Sequence, residues 1–169
     1  MTSPEVRPFA LEDAATGFRS GVRALDDFLA RHAAVNDALG VCRTYVMPGD
    51  DLPVLGFYTL SMADVEPTMV APALGARLPR YPMPVALVGR LAVDERARGR
   101  RIGEALLVDA LRRTLEVSAV VGCVGVIVDA KDEGAAAFYA RYGFAALAAG
   151  PWPRRMFLPL ATIREGFEG

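Results

Sequence analysis

The chain has 169 residues, 53% of them hydrophobic, and a formal net charge of −1. That is apolar material enough for one domain with a sizeable core, and no apolar run approaches the roughly 18–20 residues of a membrane span. Two distant cysteines in apolar settings, Cys42 and Cys123, and a single histidine, His32, argue against a disulfide framework or a metal centre. The first residues lack the basic-then-apolar layout of a signal peptide, so a cytoplasmic protein with buried thiols is expected. In chain order, residues 6–9 read as a short strand. Residues 21–38 read as a helix with Val22, Leu25, Phe28, Leu29, Ala33 and Val35 on one face and Gly40 as its stop. Strands follow at 42–46 and 54–60, joined by a turn through Pro48, Gly49, Asp50 and Asp51. Residues 66–84, with five prolines, form a loop or a short irregular helix. A strand at 85–93 and a helix at 104–113 come next. Residues 124–128 are too uniformly apolar for an edge strand and belong inside the sheet. A helix at 133–141 and strands at 144–147 and 155–158 complete the chain. Strands that first meander and later alternate with helices predict an α+β fold spanning 1–169. Its sheet is mixed and mostly antiparallel, with one parallel pair and helices on both faces.

Residues 98–103 (Arg98, Gly99, Arg100, Arg101, Ile102, Gly103) separate a strand from a helix. Such a turn gathers free backbone N–H groups and the positive end of a helix dipole at one point, which suits a phosphate or pyrophosphate. The charge layout agrees. Residues 77–113 carry nine arginines against four acids, although residues 1–60 carry five against eight. A local excess of that kind suits a polyanionic ligand. Arg98, Arg100 and Arg101 are assigned to its phosphates, and Arg96, Arg112 and Arg113 to a solvated helix face. A second motif runs from Asp132 through Phe138, Tyr139, Tyr142 and Gly143 to Phe144. Alone, Tyr139 would be the polar-tipped aromatic of an amphipathic helix.

Together the two motifs resemble the GCN5-related N-acetyltransferase (GNAT) family. Its pyrophosphate loop reads Gln or Arg, two residues, Gly, one residue, then Gly or Ala. Arg98 and Gly103 fill the outer positions, and Arg101 stands where the family has its middle glycine. A residue with a Cβ is strained at positive φ, so Arg101 is expected to be helical and to lend only its N–H. Asp132 replaces a frequent Asn; it can cap a helix but would repel a nearby phosphate. The resemblance implies acetyl-CoA, with its pyrophosphate on the N–H groups of residues 99–103. Its pantetheine arm would lie along Leu91, Ala92 and Val93, in a splay between strands 87–93 and 124–128, with Phe138 contributing from the late helix. An N–H near Val93 would polarise the thioester carbonyl. Tyr139 would protonate the departing thiolate, while Tyr142 packs beside Phe144. No general base stands out. Glu66 and Asp64 could serve through water, or the amine could lose its proton to solvent, which is easier for an α-amine near pKa ~8 than for a lysine near ~10.4.

Five further stretches (19–29, 43–46, 56–61, 78–82 and 87–94) look like the acetyltransferase toxins of type II toxin–antitoxin modules. That likeness implies acetylation of the α-amine of aminoacyl-tRNA and a block of translation. It also implies a homodimer and a ribbon-helix-helix antitoxin that represses the shared operon. Arg77, Arg80 and Arg90 would then receive the tRNA backbone, although an ion pair of Arg90 with Asp94 or Glu66 weighs equally. Two classes stay open: a housekeeping acetyltransferase of a small amine or protein N-terminus, and a non-enzymatic module that binds CoA or a partner.

Overall fold

The computed structural model describes residues 5–75 and 77–168. Its strands are β1 (Arg7–Pro8), β2 (Arg43–Met47), β3 (Gly56–Val65), β4 (Met83–Val93), β5 (Gly125–Ala130), β6 (Ala145–Ala146) and β7 (Arg154–Pro159). They form a sheet in the order β1-β2-β3-β4-β5-β7-β6. Pairing is antiparallel for β1–β2, β2–β3, β5–β7 and β6–β7, and parallel for β4–β5. The mixed, mostly antiparallel sheet is as expected. The chain divides into two compact units, one holding the residues up to Ser61 with Gly89–Ala110, the other Met62–Val88 with the residues from Leu111 on.

In the first unit β2 and β3 pair with Tyr45 opposite Tyr58 and Val46 opposite Phe57. Val46 and Phe57 are fully buried with Phe28, Leu29, Ala33 and Val54. The predicted helix is present in three pieces: α1 (Arg23–Asp27), one π turn (Phe28–His32) and α2 (Ala33–Leu39). Gly40 ends it at φ 76°, donating its N–H to Asn36 and Asp37 carbonyls. The π turn overturns one expectation. It inserts an extra residue into the helical phase, so the position seven beyond Phe28 rotates off the inner face and Val35 is 57% exposed. Gly56 opens β3 where a side chain would not fit, because a Cβ there would lie 2.7 Å from the Ala92 carbonyl oxygen and 2.8 Å from Leu106.

In the second unit Val126, Ile127 and Val128 of β5 are fully buried. β4 lies on one side (Leu87 opposite Ile127) and β7 on the other (Ile127 opposite Phe157), the interior position the apolar run implied. Val65, Val70, Met83, Val85, Ile127 and Phe157 form this unit's core. The proline-rich stretch contains a helix, α3 (Pro67–Leu74), started by Pro67, whose fixed φ suits a first turn, and closed by Gly75 at φ 58°. The longest helix is α4 (Ile102–Ser118), and α5 (Glu133–Ala140) follows β5. The C-terminal helix α6 (Leu160–Glu168) has no counterpart in the sequence reading. It follows β7 with no turn residue between them, anchored by buried Ile163 and by the Leu160 N–H donating to the Val124 carbonyl at 3.0 Å. Cys42 and Cys123 are buried free thiols. No helix among the described residues is long and apolar enough to cross a membrane.

Candidate functional site

At the end of β4 the Asp94 carboxylate is fully buried and fully satisfied. Oδ1 accepts from the Arg96 N–H and Nε, both at 2.9 Å, and Oδ2 accepts from the Arg19 N–H at 3.0 Å and the Arg96 guanidinium at 2.8 Å. The Arg96 guanidinium is the largest influence holding this carboxyl well below the usual range. Arg96 is therefore a structural partner of a buried acid, which corrects its placement on a solvated face. Asp94→Ala leaves the N–H groups of Arg19 and Arg96 without acceptors, at about 1–3 kcal/mol each. The expected loss is roughly 2–4 kcal/mol in urea unfolding at pH 7. A depressed carboxyl contributes stability above its unfolded pKa, near ~4, and loses it as pH falls further. The gap between parent and mutant should therefore narrow at pH 3.

After a short 3-10 turn (Glu95–Ala97), Arg98 is extended, Gly99 sits at φ 83° and Arg101 at φ 58°. Arg101 is the only non-glycine residue with positive φ among the described residues. The helical expectation for Arg101 is thus wrong: α4 begins at Ile102, and position 101 keeps the left-handed backbone that the family's glycine would adopt. Two positive-φ residues flank Arg100, and turns of that kind can converge backbone N–H groups into an anion-binding nest. The first intrahelical bond runs from the Ala105 N–H to the Arg101 carbonyl, so those of Ile102, Gly103 and Glu104 have no helical partner. Left-handed backbone costs a non-glycine residue about 1–2 kcal/mol, partly offset by the greater unfolded-state freedom of Gly. Arg101→Gly should therefore raise stability by up to about 1 kcal/mol, and Arg101→Val should lower it by about 1–2 kcal/mol, both read by urea unfolding.

The three loop arginines differ. Arg98 donates to the Ser20 carbonyl at 3.0 Å, pinning the loop to a segment whose Ser20 in turn bonds Asp26 through its N–H (2.8 Å) and hydroxyl (2.6 Å). Arg100 forms a two-pronged ion pair with Asp51 at 3.1 and 2.6 Å. Arg101 has an exposed side chain with no ion pair among the described residues. Sequence reasoning gave no site role to Ser20, Asp26 or Asp51, and named Asp94 only as an ion-pair partner for Arg90. The usable signal was an acid directly after a strand and two residues before an arginine.

In the other unit, Asp132 caps α5, its Oδ1 accepting from the Ala135 N–H at 2.8 Å. One face of that helix buries Tyr139 to 9% exposure. Its ring meets Phe138 and Phe144 edge-on at 5.2 and 5.5 Å between centroids. Tyr142 packs its ring edge-on against Phe138 at 5.3 Å. Burial, with a smaller contribution from the Asp129 charge, pushes the Tyr139 phenol up to about 12. It stays protonated throughout the physiological range and can act as a proton donor.

The arginines expected to meet tRNA fall in both units. Arg77 and Arg80 are exposed in the second unit. Arg80 lines a pocket of about 420 Å³ with Glu66, Thr68, Ala71 and Leu78. Arg90 belongs to the first unit, half-buried, with its guanidinium 3.8 Å from the Phe28 ring centroid. A cation–π contact therefore takes the place of the ion pair considered for it. Asp64 and Glu66 are both exposed.

Residues 42–146 match the model of a family described as the acetyltransferase (GNAT) domain. The chain belongs to the GNAT acetyltransferase family. This GNAT chain is 36% identical over 132 residues to the tRNA-acetylating toxin of Mycobacterium tuberculosis (strain ATCC 25618 / H37Rv), with 78% of each protein covered. Among solved structures it superposes on a Tyr-to-Phe mutant of KacT with TM-score 0.88 and 31% identity, covering 98% of this chain and 100% of that one. AtaT complexed with acetyl-methionyl-tRNAfMet gives TM-score 0.83 and 26% identity, covering 96% and 98%. A Tyr-to-Phe mutant of AtaT has also been solved bound to the C-terminus of the antitoxin AtaR, and AtaTR bound with acetyl-CoA.

Proposed function

We propose that this protein is an acetyl-CoA-dependent N-acetyltransferase toxin that acetylates the α-amino group of aminoacyl-tRNA and so blocks translation. The observation that carries the reading is the likeness, over most of the chain, to a toxin that acetylates tRNA. The loop supports it. Open N–H groups at the start of α4 and two positive-φ residues before it fit a pyrophosphate, and Arg101 adds a cation without a competing partner among the described residues.

Acetyl-CoA supplies a thioester whose carbonyl carbon takes the amine nitrogen as the carbon–sulfur bond breaks. In this reading the N–H groups of residues 99–103 hold the phosphates. The backbone of Leu91, Ala92 and Val93 aligns the pantetheine arm, and the Val93 region polarises the carbonyl, with Phe138 against the cofactor. Tyr139 gives its proton to the departing sulfur and recovers it from solvent. Because burial keeps the phenol neutral, the proton is in place when the carbon–sulfur bond breaks. The amine sheds its own proton to water, alone or through Glu66 or Asp64. Arg77, Arg80 and Arg90 contact tRNA phosphates. A homodimer in the cytoplasm, silenced by a ribbon-helix-helix antitoxin, completes the proposal.

The deciding experiment incubates the protein with labelled acetyl-CoA and charged or uncharged tRNA. Label on the aminoacyl group of charged tRNA alone, with growth arrest on induction, is the expected outcome. Label on small amines or protein N-termini, with charged tRNA untouched, would overturn it in favour of a housekeeping acetyltransferase.

A further inference from the structure

Arg100 lies in the centre of the phosphate loop, yet its guanidinium is already occupied. Both terminal nitrogens bond the two oxygens of Asp51, at 3.1 and 2.6 Å. The acid comes from the turn between β2 and β3. Bonds from the Gly49 N–H to the Leu52 carbonyl (3.0 Å) and from the Leu55 N–H to the Met47 carbonyl (2.7 Å) hold that turn in shape. Both partners are about half exposed, 44% for Arg100 and 53% for Asp51, so the pair can open into water without disturbing the core. Arg98 spends a donor on the Ser20 carbonyl. Of three arginines that the sequence places beside a polyanion, only Arg101 therefore has a guanidinium uncommitted among the described residues.

A carboxylate gripped by both prongs of an arginine occupies the donors that a phosphate would use. We propose that Asp51 sets the affinity of the cofactor site, as an internal counter-ion that a cofactor phosphate must displace from Arg100. This rests on the reading of loop 98–103 as the phosphate site. Exchange of one anion for another keeps the affinity for phosphates below what the loop alone would give. Acetyl-CoA and CoA carry the same phosphates, so the exchange weakens hold on substrate and product alike and speeds product release.

The test uses the full chain and CoA as probe, by calorimetry at low and high salt, for the parent, Asp51→Asn, Asp51→Ala, Arg100→Gln and the double mutant Asp51→Asn/Arg100→Gln. Losing an exposed ion pair's competition is expected to tighten CoA binding about two- to fivefold in both Asp51 variants at low salt. The gain should shrink at high salt and vanish in the Arg100→Gln background, because Asp51 acts only through Arg100. Thermal melts should stay close to the parent's in all variants. Unchanged CoA affinity in the Asp51 variants, or an equal gain with Arg100 already replaced, would overturn the role of Asp51 while leaving the phosphate loop standing. A parent that does not bind CoA would overturn both.

Discussion

Tyr139→Phe is expected to slow acetyl transfer by about 10²–10⁴-fold, the range spanned by a positioned general acid, with CoA affinity and melting temperature near the parent's. Phe keeps the edge-on contacts with Phe138 and Phe144, so only the hydroxyl is lost. The pH dependence gives an independent check. The folded phenol sits near 12, above the ~10 of an unfolded chain. The fold's preference for the neutral form is thus intact below about pH 10 and fades as pH rises from ~10 toward ~12. Tyr139→Phe should remove that part of the alkaline loss of stability and leave the neutral range unaltered. The parent's rate profile should also show no decline below pH 10 that disappears in the mutant. Turnover like the parent's would make Tyr139 a packing residue only.

Gly103→Glu should reduce CoA affinity by about 100-fold or more, close to 3 kcal/mol, as read by calorimetry. Gly103 is the second residue of α4 and its N–H has no partner within the helix. A glutamate there brings a carboxylate to the point where phosphates are proposed to sit. The same acid in a first helical turn is favourable for the helix dipole, by about 0.3–1 kcal/mol. Stability should therefore hold or rise while binding collapses, which separates loss of the site from loss of the fold. Unchanged affinity would remove residues 98–103 from the cofactor site.

Periodicity and punctuation made most of the fold legible. Gly40 ends a helix, the apolar run at 124–128 lies inside the sheet, and the strand–turn–helix around residues 85–113 stands where the pattern places it. The failures have physical causes. A π turn leaves no mark in residue type, so the inner face was extended one position too far, to Val35. Helix α6 begins directly after a strand, and the stop signal that would have separated them is missing. For Arg101 the sterics were weighed correctly but the outcome was not: Asp94, Arg98 and the start of α4 hold the loop's geometry, and that context outweighs one residue's preference. Charge counting located the basic stretch. It could not foresee which arginines would be taken by Ser20, Asp51 and Phe28, because those partners come from distant segments; the Asp94–Arg96 pair, two residues apart, is local.

The buried Asp94 carboxylate bears on how quickly a ligand is captured. With the Arg19 N–H, the Arg96 N–H and the Arg96 guanidinium converging on one acid, the stretch leading into α4 is held by bonds internal to the protein. Less ordering entropy then needs to be found in that stretch at the moment of binding. With Asp51→Asn, where no ion pair has to open, capture of CoA should follow a single exponential whose rate grows linearly with concentration, without the plateau that a prior loop rearrangement imposes.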